Sequence, residues 1–181
     1  NFGSYKEYGD LTNRFYNPRL AGGAMLDIGV YAITFARQFM RSQPREVLSL
    51  ANLATTGVDQ TSGIVMRNPE GQIATFTLSL HSKQPKRGML SFDRCYVEVA
   101  DYPRADAARI VWTEDGRVEK VRCGEEGYAL DYEVADLERA VAGDERAARL
   151  IDCASDVMEL MTGLRREWGV TYPEERNEGL A

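Results

Sequence analysis

The sequence predicts an α+β fold, because the spacing of its apolar residues changes twice along the chain. Near both ends the apolar residues recur at helical spacing, whereas from residue 45 to about residue 121 they alternate with polar residues. Turns that contain glycine, proline or aspartate separate the alternating segments, and strands joined by short turns are mostly antiparallel. We therefore expect one large, mainly antiparallel sheet with helices on one face.

Composition and charge narrow the class of protein. The 181 residues suffice for about one domain, so residues 1–181 are assigned to a single domain. A net charge of −6 leaves no broad basic surface for nucleic acid, and no apolar run reaches the ~20 residues of a membrane span. Three scattered cysteines and a single histidine favour reduced thiols in a cytoplasmic protein over a disulfide framework or a metal site.

Proline and glycine bound the predicted elements. A connector at residues 1–13 and the turn at Asn17 and Pro18 precede a first helix at residues 23–40, which Pro44 cannot continue. Alternation then predicts strands at residues 47–53, 62–67, 73–82, 89–92, 96–99, 109–113 and 117–121. Two more helices are predicted at residues 132–142 and 145–168, and the polar tail at residues 174–181 is expected to be frayed.

The third predicted strand has one apolar side and one side of small hydroxyl residues. Thr75, Thr77 and Ser79 share this second side, because side chains alternate along a strand. Such a face suits contact with the sheet of a second copy, so we expect a homodimer formed through it. A face that meets only solvent is the alternative, since antiparallel sheets commonly leave one side to water.

The stretch at residues 14–31, RFYNPRLAGGAMLDIGVY, holds the most informative pattern. A glycine pair leads into an apolar helix that carries Asp27 and, four residues later, Tyr31, so the two side chains share one helix face. An acid on so apolar a helix must be capped, paired or used in chemistry. Spacing alone leaves two interpretations open: an acid/base pair, or a core tyrosine beside a carboxylate that bonds to backbone.

Residues 22–29, GGAMLDIG, resemble a signature of the Gfo/Idh/MocA oxidoreductase superfamily. In that superfamily the main helix of the second domain begins with Gly-Gly-(small)-hydrophobic-Leu-Asp-x-Gly. Many members carry histidine four residues after the aspartate, whereas this chain has Tyr31. In this respect it is similar to the branch that contains the glucose–fructose oxidoreductases and the dimeric dihydrodiol dehydrogenases.

This resemblance implies a fold and a function. The fold would be the C-terminal domain of the superfamily, which is like that of glyceraldehyde-3-phosphate dehydrogenase. The parent enzyme would transfer a hydride between NAD or NADP and a sugar, polyol or diol. Because no Gly-x-Gly-x-x-Gly fingerprint follows a strand and the chain begins at Asn1, we expect a separate N-terminal Rossmann domain to bind the cofactor, and none to bind this chain alone. The alternative is a non-catalytic sugar- or nucleotide-sensing or dimerisation module on the same fold.

Site residues follow from the resemblance and from chain position. Tyr31 would donate or accept the substrate proton, with Asp27 as its partner. Contacts to the cofactor are assigned to Arg14, Gly22 and Gly23, and contacts to the substrate to Tyr16, His81 and Tyr128. Plainer alternatives are a surface ion pair at Arg14, a turn that needs positive φ at the glycines, and an exposed polar position at His81.

Overall fold

The structure, a computed structural model, describes residues 2–7 and 9–177. These residues form two compact units. Unit 1 takes its residues from Asn1–Gln84 and Ala154–Ala181, and unit 2 consists of Pro85–Cys153. The assignment of residues 1–181 to a single domain stays a prediction.

Unit 1 is built on a four-stranded sheet with the strand order β1-β4-β3-β2. Its strands are β1 (Phe2–Gly3), β2 (Glu46–Leu53), β3 (Asp59–Arg67) and β4 (Ile73–Ser79). Strands β2, β3 and β4 are antiparallel, whereas β1 runs parallel to β4, with Phe2 opposite Leu78. All three strands predicted between residues 45 and 82 are therefore present.

The helical segment after the glycine pair begins with a π-helical turn, Met25–Gly29, and continues as helix α1, Val30–Phe39. It ends where Met40 turns to an extended conformation and Arg37 donates a hydrogen bond to the Met40 carbonyl at 3.0 Å. A Cβ on Gly29 would lie 2.9 Å from a methyl carbon of Leu78. Gly29 therefore packs closely against the sheet.

One face of this sheet and the segments around it form the core of unit 1. Strand β3 contributes Ile64 and Met66, and strand β4 contributes Phe76 and Leu78, all of which are buried. The opposite face leaves large apolar side chains in solvent. We call this surface the exposed sheet face; its members are Leu48, Leu50, Val65, Ile73, Thr75 and Thr77.

Unit 2 contains an antiparallel meander with the strand order β5-β6-β7-β8. Its strands are β5 (Arg87–Ser91), β6 (Cys95–Ala100), β7 (Ala107–Trp112) and β8 (Val118–Arg122). Helix α2, Ala129–Val141, follows the meander, and helix α3, Glu145–Glu167, begins in unit 2 and ends in unit 1. The four strands and two helices predicted for this part of the chain are present.

The α+β class with mainly antiparallel strands is confirmed, but the strands lie in two four-stranded sheets where one large sheet was expected. The short strand β1 pairs with β4 at one edge of the first sheet. The expectation of a frayed tail is wrong for residues 174–177, because Pro173–Asn177 form a short helix, α4. Residues 178–181 lie outside the described residues.

Candidate functional site

The glycine pair forms a tight turn before the helical segment; we call Gly22 and Gly23 the glycine turn. Gly23 has a φ of +123°, a conformation that side-chain-bearing residues rarely adopt. A Cβ there would overlap Oδ1 of Asp59, and a Cβ on Gly22 would lie 2.9 Å from three backbone atoms. Both positions therefore need glycine for packing within the chain.

The backbone N–H groups at this turn are bonded inside the protein. Gly23 donates to the Phe15 carbonyl at 2.9 Å, and Met25 donates to Oδ2 of Asp59 at 2.6 Å. These groups are the ones that would otherwise suit a phosphate or hydroxyl ligand at the start of a helix. The turn interpretation of the glycine pair is thus supported, whereas the cofactor contact of Gly22 and Gly23 stays a prediction.

Asp27 lies in the π-helical turn, and its carboxylate bonds to a side chain. Nη2 of Arg14 donates to Oδ1 of Asp27 at 2.8 Å, with Arg14 mostly exposed and Asp27 mostly shielded. The backbone N–H of Asp27 donates to the Gly23 carbonyl at 3.1 Å, so the glycine turn fixes where Asp27 stands. Arg14 therefore forms an ion pair, the plainer of the two roles considered for it. Its partner in that pair is Asp27, the candidate partner of Tyr31 in catalysis.

Tyr31 stands at the surface of unit 1. Its side chain is 41% exposed, and its ring stacks on Phe2 with the centroids 5.6 Å apart and the planes 20° apart. The interpretation of Tyr31 as a core residue is therefore wrong. The Tyr31 phenol reaches solvent, so it has the access that proton transfer to a bound substrate requires. The same helical segment carries the shielded, ion-paired carboxylate of Asp27.

Two cations flank the ring of Phe15, next to the glycine turn. Nζ of Lys6 lies 4.0 Å from the ring centroid, and the guanidinium carbon of Arg14 lies 4.4 Å from it. Arg14 thereby contacts both the ring and the Asp27 carboxylate. Lys6 adds a second positive charge on the same ring.

The remaining predicted residues lie in different surroundings. Tyr16 is fully buried, with its ring edge-on to His81 at a centroid distance of 6.5 Å. His81 is exposed, and its Nε2 lies 2.6 Å from Oε1 of Gln60. Tyr128 is exposed in unit 2, at the end of a 3-10 turn. Substrate contacts by these three residues stay predictions, and the burial of Tyr16 does not favour its role.

The sequence did not predict the two buried residues that contact the glycine turn, Asp59 and Tyr172. Asp59 at the start of β3 has no exposed surface, and burial raises the pKa of its carboxyl to about 6. Tyr172, which follows α3, is also buried and donates its hydroxyl to the Gly22 carbonyl at 2.6 Å. The aromatic residue three positions after Gly169 was a usable signal that the chain returns to the core. Nothing local distinguishes Asp59 from an ordinary polar residue at a strand end.

No helix within residues 2–7 and 9–177 is long and apolar enough to cross a membrane. Within the same ranges, no group of three or more histidine, cysteine, aspartate or glutamate side chains is placed to hold a metal ion.

Comparisons with known proteins bear on the family. The model of the GFO/IDH/MocA C-terminal domain matches residues 1–99. Trans-1,2-dihydrobenzene-1,2-diol dehydrogenase of Mus musculus is 23% identical over 86% of this chain and 49% of its own length. D-xylose 1-dehydrogenase (NADP(+)) of Hypocrea jecorina is 28% identical over 90% of this chain and 48% of its own. The chain spans about half the length of the curated relatives it matches.

Solved structures share the fold at low identity. A mutant 3-ketoreductase from Actinomadura kijaniata, in complex with TDP-benzene and NADP, gives a TM-score of 0.70 at 17% identity, covering 91% of this chain and 51% of that one. Aldose-aldose oxidoreductase from Caulobacter crescentus, complexed with glycerol, gives 0.67 at 19% identity, covering 92% and 52%. The family match covers more than half of the 181 residues and includes the whole stretch from Arg14 to Tyr31. The chain belongs to the GFO/IDH/MocA C-terminal domain family.

Proposed function

We propose that this chain is the substrate-binding and oligomerisation half of an NAD(P)-dependent oxidoreductase acting on a sugar, polyol or diol. The observation that carries the proposal is the helical segment with Asp27 and Tyr31. Its phenol is exposed and its carboxylate is ion-paired, and both follow paired glycines in a chain of this family. The relatives named as a diol dehydrogenase and a xylose dehydrogenase support this substrate class.

In the proposed reaction Tyr31 moves the proton of the substrate hydroxyl. Oxidation of a carbinol breaks its C–H and O–H bonds; NAD(P), when bound, supplies the acceptor for the hydride. The Tyr31 phenolate takes the hydroxyl proton, and the carbonyl product forms. In the reverse direction the phenol returns the proton. Asp27 orients the substrate hydroxyl or the phenol, and the ion pair with Arg14 at 2.8 Å fixes the position of the Asp27 carboxylate.

The described residues fit the edge of a cofactor site. The exposed guanidinium of Arg14 is available to a dinucleotide phosphate, whereas the N–H groups of Gly23 and Met25 already bond to the protein. Most of the cofactor contacts would therefore come from an N-terminal Rossmann domain. A phenol has an ordinary pKa near 10, so its phenolate needs a nearby cation at neutral pH. The resemblance assigns that cation to a lysine of the Rossmann domain.

We also propose that the exposed sheet face binds a second copy of the chain. Leu48 and Leu50 on β2 and Ile73 on β4 are large apolar side chains that lie mostly in solvent. Adjacent exposed apolar residues on one face are typical of an interaction surface. Thr75 and Thr77 are exposed on the same face, whereas Ser79, the third residue of the predicted contact, is buried. Cys95 and Cys123 are free thiols, which supports a cytoplasmic location.

The experiment that tests the proposed function uses the full-length protein. Aldoses, polyols and trans-diols are each assayed with NAD and NADP by the absorbance of the reduced nicotinamide. We expect turnover with one substrate class and its loss in the Tyr31→Phe variant. Tight binding of dinucleotide and sugar with no turnover of any substrate would contradict the proposal and favour the sensing module.

A further inference from the structure

The glycine turn is fastened by side chains from two distant parts of the chain. The hydroxyl of Tyr172 donates to the Gly22 carbonyl at 2.6 Å, and Oδ2 of Asp59 accepts from the Met25 N–H at 2.6 Å. Oδ1 of Asp59 occupies the space that a Cβ of Gly23 would need. Each residue of the turn is therefore held by a contact from β3 or from the segment after α3.

A second layer of contacts fixes Tyr172. Arg165 on α3 is buried and forms a two-pronged pair with Glu175, with nitrogen–oxygen distances of 2.8 Å and 3.2 Å. Oε2 of Glu175, which accepts from Nη1 of Arg165, also accepts the Tyr172 N–H at 2.9 Å. The guanidinium carbon of Arg165 also lies 4.7 Å from the centroid of the Tyr172 ring. Tyr172 thus has a fixed position from which to bond to Gly22.

The contacts continue from the turn to the candidate catalytic acid. The Asp27 N–H donates to the Gly23 carbonyl at 3.1 Å, and Met25, which Asp59 holds, belongs to the same π-helical turn as Asp27. A displacement of Gly23 or Met25 therefore displaces Asp27. Tyr31 follows one turn later on the same segment.

We propose that Asp59 and Tyr172 are positioning residues for the Asp27–Tyr31 centre, which they hold in register through the glycine turn. The proposal rests on the proposed function for its kinetic readout, and on the hydrogen bonds above for its structural one. Neither residue contacts substrate or cofactor in this account. Both residues contact the backbone of the segment that carries Asp27 and Tyr31, the residues proposed to contact substrate.

The burial of Asp59 argues that its position has a purpose beyond packing. Within the described residues Oδ1 has no hydrogen-bond partner, although the side chain has no exposed surface. A buried carboxylate with an unsatisfied oxygen costs stability, whereas an apolar residue of similar size would not. This carboxylate accepts the N–H of Met25, the first residue of the π-helical turn. The stability cost of its burial therefore comes with a contact that positions the turn.

The structural test measures amide hydrogen exchange in the full-length protein. In Tyr172→Phe and in Asp59→Ala, exchange at residues 24–31 should rise about fivefold or more, the factor expected from losing one hydrogen bond. Residues 95–112 of unit 2 serve as the internal control and should not change. Unchanged exchange at residues 24–31 in both variants would overturn the proposal, whatever the activity.

The kinetic test compares the same variants with Asp59→Asn, which keeps an acceptor for the Met25 N–H. We expect Asp59→Ala and Tyr172→Phe to lower kcat at least about tenfold with KM within about twofold, because small misplacements of catalytic groups are costly. We expect Asp59→Asn to restore most of kcat. Full kcat in Asp59→Ala and Tyr172→Phe, with Tyr31→Phe inactive, would overturn the positioning role and leave the proposed function standing. Full kcat in Tyr31→Phe would instead remove the proposed function.

Discussion

Tyr172 donates a hydrogen bond from its phenol to the carbonyl oxygen of Gly22 at 2.6 Å, although 150 residues separate them in the chain. The bond joins the segment after the last long helix to the turn from which the candidate catalytic segment starts. Both groups are buried, so neither has water as a substitute partner. The geometry of the site near the start of the chain thus depends on residues near its end.

The close approach of Asp59 to the glycine turn predicts that Gly23→Ala is strongly destabilising. The new Cβ would meet Oδ1 of Asp59, and this side chain cannot withdraw without breaking the bond from the Met25 N–H to its Oδ2. The positive φ of Gly23 is also unfavourable for alanine. We expect a loss of about 2–5 kcal/mol in the free energy of unfolding. Chemical denaturation measures it. Gly71→Ala is the control, since Gly71 also has positive φ, +82°, but open space around it. Equal losses in the two variants would refute the steric argument.

The buried carboxyl of Asp59 predicts a specific dependence of stability on pH. Burial raises its pKa from 3.8 to about 6, so the folded protein binds this proton more tightly than the unfolded chain does. The contribution of Asp59 to stability therefore falls as pH rises through this range. The charged and titratable groups that act on it are Arg165 and Tyr172, and the Arg165 charge opposes the shift without cancelling it.

The measurement is the free energy of unfolding of the wild type and of Asp59→Asn at about pH 4.5 and about pH 7. Relative to Asp59→Asn, the free energy of unfolding of the wild type should fall by about 2 kcal/mol when the pH rises from about 4.5 to about 7. Glu175 titrates lower, because Arg165 draws its pKa down to about 2, so it does not obscure the comparison. If the wild type does not lose stability relative to Asp59→Asn as the pH rises, the pKa of the Asp59 carboxyl is not raised.

The exposed sheet face predicts that a single charge there dissociates the dimer. Leu50 is 83% exposed in the middle of β2, so Leu50→Glu should leave the fold intact and place a carboxylate in the interface. Sedimentation equilibrium should show a dimer for the wild type and a monomer for the variant. Val141→Glu on α2 is the control, because Val141 is 82% exposed in unit 2. A monomeric wild type, or dissociation only by Val141→Glu, would contradict the proposed interface.

The ion pair of Arg14 and Asp27 predicts a variant with a small effect on stability and a larger one on binding. Arg14 is mostly exposed, so Arg14→Met should change the free energy of unfolding by less than about 1 kcal/mol. Because the cofactor phosphate would lose its contact with the guanidinium, the KM for the cofactor should rise about tenfold. Arg109→Met is a matched control, because Arg109 pairs with Glu98 at 3.1 Å with similar exposure. An unchanged KM in Arg14→Met would remove Arg14 from the cofactor site.

The sequence carried enough information to predict the helical segment, because its signal is local. The glycine pair, Asp27 and Tyr31 lie within ten residues, and the family pattern over them is confirmed by the match to residues 1–99. The strands were also predicted, since alternation is a local property. The helical spacing of the apolar residues did not reveal that the turn carrying Asp27 is π-helical.

Features that depend on contacts between distant residues were not predicted. Strand β1 has two residues and no pattern of its own, yet it forms an edge of the first sheet beside β4. Asp59 and Tyr172 meet the glycine turn only in the folded chain, 34 residues from Met25 and 150 residues from Gly22. Neither composition nor periodicity encodes such a meeting, so the support of the site became visible only in three dimensions.

The most direct test of the account is the turnover of the full-length protein with Tyr31 replaced by phenylalanine. The ring that stacks on Phe2 is retained and only the hydroxyl is lost, so the fold should not change. Tyr96→Phe on β6 is the control and should keep wild-type kinetics. If the Tyr31 phenol is the acid/base, kcat should fall at least ~100-fold with the KM for substrate within about threefold. A kcat within about twofold of wild type in Tyr31→Phe would contradict the central claim.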